Sequence, residues 1–382
     1  MPRILFYVQY LKGIGHLQRV RLIAEAAAAR GHEVEILSGG LALTGFAPEG
    51  VTVHQLPALQ AGPGGFRDLR DADGQPAGRA YLDGRRDRLL EIVRDRRPDV
   101  LVVEAFPFGR RQMGFELLPL LEAARGLEPR PTIVCSVRDI LQSPRKPGRD
   151  AETVARLRTC FDHVLVHGDP SFVPLRETFA AADEIADLIA YTGLVAAPRS
   201  DYAPAPDTPT GEALVSIGGG AVGSRLLRTA LEARPATALA EAPWRLLAGP
   251  NLPEGEVQAL RADCPEGVTV ERFRDDFRRL LSAAALSLSY AGYNTTLDVM
   301  RARVPAVLVT YSGDGGESEQ RFRASRMAER GLTATLADRD LAPATLARAI
   351  GEALALAPRG APKLDLDGAA TSADLLGRWG SS

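Results

Sequence analysis

Twice along its length the chain runs from a short apolar stretch into a glycine-containing turn and then into a helix-forming stretch. In the first copy, residues 3–8 read as a buried strand, a glycine loop spans 10–16, and a helix follows over 17–30. Val20, Ile23, Ala24 and Ala27 share one face of that helix, Gly31 ends it, and the next strand is 33–37. A strand–helix–strand unit implies parallel pairing through a right-handed crossover. Further strands at 99–103, 132–136 and 163–167 extend the alternation to about residue 195. The second copy has a strand at 213–217, a glycine loop at 218–223 and a helix at 226–233, then strands at 244–248, 268–271, 286–289 and 306–310. Between the copies, residues 196–210 hold four prolines and read as a linker. The expected fold is α/β, with two Rossmann-like, doubly wound parallel-sheet domains over 1–195 and 211–361. At ~150 residues per domain, 382 residues accommodate both. Residues 362–382 read as a tail with a short helix near 373–379.

Composition narrows the function classes. The 46 basic and 48 acidic residues leave a net charge of −2, so neither a nucleic-acid partner nor an anionic membrane partner is expected. Arg85, Arg86 and Arg88 alternate with Asp83 and Asp87 and read as a solvated helix face. The three cysteines, Cys135, Cys160 and Cys264, are far apart with no Cys-x-x-Cys, which argues against a disulfide framework or a zinc site. Cys135 sits in an apolar run and reads as core. The N-terminal apolar run is interrupted within ten residues, so no signal peptide is expected. No apolar run reaches ~18 residues, so no membrane insertion is expected, and a cytoplasmic location fits.

Four stretches could carry chemistry, each where a strand of an open α/β sheet gives way to a loop. In residues 12–19, Gly13 and Gly15 let the backbone turn tightly, and His16 falls at the start of a helix whose positive end favours a neutral, proton-accepting imidazole. The dinucleotide fingerprint G-x-G-x-x-G fails there, because Gln18 takes the sixth place. In residues 215–223, Gly218, Gly219 and Gly220 expose backbone N–H groups to an anion, a diphosphate being the natural guest. No Gly-Lys-Ser/Thr follows, so this is not a P-loop. In residues 289–298, Gly292 makes the turn, Asn294 is a helix N-cap before Thr295, and Asp298 lies one turn inside. Its carboxylate could bind the hydroxyls of a ribose or compensate the helix dipole. In residues 313–323, a glycine-rich loop leads into a helix bearing Glu319 and Gln320, suited to hydroxyls or phosphates. Glu104 and the pair Arg138–Asp139 follow strands in the first half and could orient His16 or contact a substrate. Neither Asp71–Asp73 nor Asp365–Asp367 follows a buried strand, so neither Asp-x-Asp reads as a metal site.

In this order and spacing the four motifs resemble GT-B glycosyltransferases, in particular the group around the peptidoglycan N-acetylglucosaminyl transferase of family 28. The resemblance covers nearly the whole chain and is strongest at 13–19, 215–223 and 271–325. It implies two domains facing across a cleft, with the acceptor served by the N-terminal one and a nucleoside-diphosphate sugar by the C-terminal one. Phe273 would lie against the base, Asp298 would bind ribose, and Glu319 and Gln320 would stand near the donor sugar. Gly218 to Gly220 would hold the diphosphate, although Gly220 stands where the peptidoglycan enzyme has Ser, so backbone N–H groups must serve there. His16 matches the histidine of the N-terminal loop. The implied reaction is inverting displacement by an acceptor hydroxyl or amine, with His16 or a nearby carboxylate removing the proton. No cofactor and no required metal are expected, and the donor base would be uridine or thymidine.

Two other readings stay open. The Gly-Ile-Gly-His-Leu-Gln-Arg loop is also similar to that of a related sugar-nucleotide hydrolase, so a hydrolase or epimerase on this fold would use His16 as well. A nicotinamide-dependent oxidoreductase, or a nucleotide-binding module without catalysis, is the alternative from another class, and the failed fingerprint counts against the oxidoreductase. The acceptor would be a small molecule read by loops 60–80 and 105–115.

Overall fold

A computed structural model describes residues 1–11, 13–141, 147–218, 223–311, 318–356 and 364–381. The chain forms two compact units: Met1–Val195 together with Leu364–Ser382, and Ala196–Lys363.

The first unit contains strands β1 (Arg3–Val8), β2 (Glu33–Ser38) and β3 (Val51–Gln55), a hairpin of β4 (Gln60–Gly62) and β5 (Gly65–Arg70), and then β6 (Val100–Glu104), β7 (Thr132–Arg138), β8 (His163–His167) and β9 (Ile189–Tyr191). Apart from the hairpin, they build a seven-stranded parallel sheet in the order β3-β2-β1-β6-β7-β8-β9. Its helices are α1 (Gly15–Ala28), α2 (Arg79–Arg96), α3 (Gly114–Arg125) and α4 (Arg149–Cys160). The central strands lack polar alternation because both faces are covered. Leu5 and Tyr7 of β1 pack with Leu89, Leu117 and Leu120 of α2 and α3. Ile4, Phe6 and Val8 pack on the other face with Leu17, Val20 and Ile23 of α1. Every strand of a parallel sheet ends at one edge, so the β1–α1 loop and the loops after β6, β7 and β8 converge.

Three segments differ from their sequence reading. Residues 60–80 contain the β4–β5 hairpin and a turn in which Asp71 Oδ1 accepts the N–H groups of Asp73 (3.0 Å) and Gln75 (2.8 Å). Arg85 is not on a solvated face. It is wholly buried with Glu116, donating to it from Nε (2.7 Å) and Nη2 (3.0 Å), while Arg86 and Arg88 keep to partly exposed ion pairs on the same helix.

The C-terminal segment is an integral part of the first unit. Leu194 N–H donates to Asp365 O (2.8 Å) and Gly368 N–H to Leu194 O (3.1 Å). At α1 and β8, Ala373 and Leu376 join the core cluster of α1, and Trp379 stacks on His163 at 3.9 Å.

The second unit holds α5 (Ser224–Ala233), α6 (Glu254–Ala262), α7 (Phe277–Ala283), α8 (Tyr293–Ala302), α9 (Ser318–Glu329) and α10 (Pro343–Leu356), and the terminal helix of the first unit is α11 (Gly368–Trp379). Its strands are β10 (Ala213–Ser216), β11 (Trp244–Leu247), β12 (Val268–Glu271), β13 (Leu286–Tyr290), β14 (Ala306–Thr310) and β15 (Ala334–Ala337). They form a six-stranded parallel sheet in the order β12-β11-β10-β13-β14-β15. Ala213 and Val215 face α5 and α10, and Leu214 faces α7 and α8. Residues 199–202 form a short 3₁₀ turn that packs its Tyr202 into this unit, where Ser282 Oγ donates to the Tyr202 carbonyl (2.7 Å). Among the described residues no helix is long and apolar enough to cross a membrane.

Candidate active site

Positive φ at Gly13 (+59°) turns the chain out of β1, a conformation that side-chain-bearing residues adopt only at a cost. The helix α1 then starts at Gly15 with no side-chain cap, and His16 stands in its first turn. Glu104 is the last residue of β6, and Ser136 lies beside it in β7. The three side chains meet. His16 Nδ1 is 2.8 Å from Glu104 Oε1, Arg19 Nη2 also donates to Oε1, and Ser136 Oγ donates to Oε2. Ser136 Oγ is 2.9 Å from His167 Nε2, and His167 Nδ1 is 3.0 Å from Thr192 Oγ1.

Hydrogen-bond chemistry orders the protons of this chain of groups. An ionised carboxylate only accepts, so His16 donates from Nδ1 and leaves Nε2 with its lone pair. Ser136 spends its proton on Glu104 and must therefore accept from His167 Nε2–H. His167 Nδ1 is then an acceptor, and the Thr192 hydroxyl is in place to donate to it. Burial pushes His16 down to about 4, against the opposing pull of Glu104, with the Arg19 and Arg110 charges adding to the fall. His167 is pushed down to about 3, by burial first and Arg19 second. Burial alone would raise Glu104, but Arg19 and His16 overcome it and hold its carboxyl well below the usual range. At neutral pH the site is thus a neutral imidazole backed by an ionised carboxylate, able to accept a proton at Nε2.

Asp139 also lies at this edge, just beyond β7. It is 1% exposed and packed so closely on Gly168 that a Cβ there would sit 2.6 Å from its own. The carboxylate bonded to His16 is that of Glu104. Ser136 and His167 have no motif around them in the sequence. The available signal was that β6, β7 and β8 are apolar runs, each with a polar residue near its C-terminal end.

In the second unit the candidate residues again follow strand ends. Gly218 comes after β10 with φ +69°, and Ser216 Oγ accepts its N–H at 3.3 Å. A Cβ on the neighbouring Gly249 would lie 2.2 Å from the Gly218 carbonyl oxygen, so the two loops pass in contact only because residue 249 is glycine. Gly219 and Gly220 lie outside the described residues. Phe273, two residues past β12, is 67% exposed and free to meet a planar ligand. Gly292, not Asn294, is the N-cap of α8; Asn294 stands exposed in the first turn, beside the half-buried Thr295. Asp298 is buried, and its Oδ1 accepts from Tyr202 Oη (2.5 Å) and from Arg278 Nε (3.0 Å), so a ribose hydroxyl would have to bind at Oδ2. Glu319 opens α9 and accepts from Arg323 Nη2 (3.2 Å), while the buried Gln320 Oε1 has no hydrogen-bond partner among the described residues.

Two family models match this chain, over separate stretches. The model of the glycosyltransferase family 28 C-terminal domain matches residues 214–370, and that of the glycosyl transferase 4-like domain matches residues 15–169. No protein of curated function matches by sequence. Among solved structures, MurG of Acinetobacter baumannii is 16% identical with a TM-score of 0.60, over 99% of this chain and 100% of that one. The glycotransferase of kitacinnamycin is 16% identical with a TM-score of 0.65, over 99% and 100%. A UDP-glucosyltransferase of Polygonum tinctorium capable of glucosylating indoxyl is 15% identical with a TM-score of 0.63, over 100% and 99%. At these identities the likeness is one of fold.

Proposed function

Because this chain is a glycosyltransferase of the GT-B fold, we propose that it moves a sugar from a UDP or dTDP donor to the hydroxyl or amine of a small acceptor, by inverting displacement. The observation that carries this reading is the His16–Glu104 pair at 2.8 Å, which presents a neutral Nε2 at the loop edge of the first sheet. In the proposed step, the acceptor oxygen or nitrogen gives its proton to His16 Nε2 as it bonds the anomeric carbon. The bond from that carbon to the diphosphate breaks, and its electron pair leaves with the nucleoside diphosphate. The developing imidazolium is stabilised by Glu104, as a carboxylate stabilises histidine in hydrolytic triads. The leaving diphosphate rests on backbone N–H groups at the Gly218 loop and the α5 N-terminus, without a required metal.

The donor assignments follow from the residues past β10, β12 and β13. Phe273 offers a ring face to the base, and Asp298 offers Oδ2 to the ribose. Asp298→Ala is expected to weaken UDP or dTDP binding while also lowering the melting temperature, since Tyr202 and Arg278 lose their acceptor. Unchanged nucleotide affinity, titrated on folded protein, would withdraw the ribose role.

The direct test is nucleoside diphosphate release from UDP- and dTDP-sugars in the presence of EDTA. Release that accelerates with a pool of hydroxyl- and amine-bearing acceptors is transfer. Release at one rate in water, with or without acceptor, assigns the chain as a hydrolase.

The pH dependence carries its own prediction. A histidine base at its ordinary value would give kcat/KM an acid limb near 6.5, whereas His16 lies at about 4. The expected profile is flat between about pH 5 and 8 and falls below that. Ser136→Ala should lower kcat about tenfold with KM unchanged, the loss of one hydrogen bond to a charged group. It should also move the acid limb upward, because Glu104, with one donor fewer, holds the imidazolium proton more strongly. Ser136→Thr, which keeps the hydroxyl, should restore both; an unmoved limb in Ser136→Ala would reduce Ser136 to packing.

A further inference from the structure

Arg110 ends the loop that follows Glu104. Its backbone is held at φ +56°, a left-handed conformation uncommon for a residue with a side chain, and Ala105, five residues earlier, stands at +68°. The loop is fixed at both ends: Gly109 N–H donates to Ala105 O (2.7 Å) and Met113 N–H to Arg110 O (2.9 Å). Arg110 Nε donates to the carbonyl of Gln9, just past β1 (2.9 Å). That bond ties the guanidinium to the chain just past β1, close enough to His16 and Glu104 for its charge to act on both.

Among the described residues Arg110 has no carboxylate partner, unlike Arg19, whose charge is met by Glu104. Burial pulls Arg110 below the usual arginine value, and the nearby Arg138 and Arg19 add to that fall while Glu104 opposes it. A partly buried cation held in a strained loop, with Glu104 near enough to act on it but no ion-pair partner among the described residues, is costly, and a ligand anion would lower that cost. One aromatic ring borders it. Phe66, 49% exposed at the hairpin, has its ring centroid 6.0 Å from the Arg110 guanidinium carbon. Ile14 and Leu41, 41% and 37% exposed, sit on the loops after β1 and β2. The hairpin is tied to the first of these loops by Ala61 N–H donating to Leu11 O (3.1 Å).

We propose that the acceptor is an apolar molecule bearing an anionic group, a carboxylate or a phosphate, which the Arg110 fork receives while Phe66, Ile14 and Leu41 take the apolar body. The proposal rests on the reading of the first unit as the acceptor side. It predicts that transfer goes to a hydroxyl or amine set back from the acid group, which Arg110 holds so that the nucleophile faces His16.

Three probes test it: benzoate, phenyl phosphate and the neutral benzyl alcohol, titrated by calorimetry with and without saturating UDP. UDP occupies any diphosphate site that phenyl phosphate could otherwise borrow. The expected result is that benzoate or phenyl phosphate binds about tenfold or more tightly than benzyl alcohol. Arg110→Gln should erase that preference, and Arg110→Lys should keep only part of it, because a point charge cannot form the fork. Phe66→Ala should weaken all three probes alike. Preference for benzoate identifies a carboxylate, and preference for phenyl phosphate identifies a phosphate. Equal binding of charged and neutral probes, or a preference that survives Arg110→Gln, overturns the proposal. Thermal stabilisation by UDP, measured on the same samples, separates the two readings. If Arg110→Gln loses the anion preference but keeps the UDP shift, both stand. If wild type shows no UDP shift, the donor reading fails while the anion preference is still read.

Discussion

His16→Ala is expected to lower kcat by ~10² to 10⁴-fold, the range over which a positioned general base contributes, and to leave UDP or dTDP affinity unchanged. The two halves of that result come from different parts of the chain. His16 belongs to the first unit, and the nucleotide-binding residues proposed here belong to the second. Glu104→Gln should show most of the same loss. An amide can donate to His16 Nδ1 and favour the other tautomer, which points a proton rather than a lone pair at the acceptor. The double variant should be little worse than His16→Ala alone, because the two residues act as one unit. Asp139→Ala provides the contrast, since the carboxylate bonded to His16 is that of Glu104. Steady-state kinetics on the four proteins checks all of this. Unchanged turnover in His16→Ala would remove the histidine from the mechanism.

Glu116→Ala should destabilise the chain by about 3 to 5 kcal/mol, the cost of removing one partner of a buried ion pair. The pair is completely enclosed: Arg85 and Glu116 are both 0% exposed. The Arg85 guanidinium also donates to Gln9 Oε1 (2.7 Å), to Gly39 O (2.9 Å) and to Pro57 O, and Tyr7 donates its hydroxyl to Glu116. Deleting the carboxylate leaves a buried cation and a buried phenol unmatched. Urea unfolding monitored by circular dichroism gives the number. Glu122→Ala, on the exposed face of the same helix, should stay within about 0.5 kcal/mol of wild type. A Glu116→Ala protein as stable as that control would mean that the cluster does not hold the fold together.

Arg85 also illustrates which features could be read from sequence. The charged run around it looks like a solvated face when read residue by residue. At helical spacing Arg85 instead shares a stripe with Leu89 and Ile92, all of them buried in α2. The signal was present as a period rather than as a composition. Glu104 was legible because an acid that ends the apolar run of β6 has few roles to play at a sheet edge. Ser136 and His167 were not, since a serine and a histidine in strands are ordinary until the register places them beside one another. The terminal helix α11 was read as a tail because what makes it structural is α1, some 340 residues earlier, and no local pattern records that contact. The strand–glycine loop–helix plan was legible in both halves because parallel sheets require uninterrupted apolar strands, and their crossovers require turn residues at fixed places. What a glycine loop binds is a different matter, and the Gly218 turn reads as a diphosphate cradle only beside the other strand-end residues of its sheet.

The donor proposed for this glycosyltransferase is a nucleoside-diphosphate sugar. A thermal-shift series of the purified chain against UDP, dTDP, GDP, ADP and NAD, without metal, tests it most directly, because a ligand that binds only the folded state raises its melting temperature. Stabilisation by UDP or dTDP is expected, reduced in Asp298→Ala and retained in His16→Ala. Stabilisation by NAD with none from any nucleoside diphosphate would contradict it.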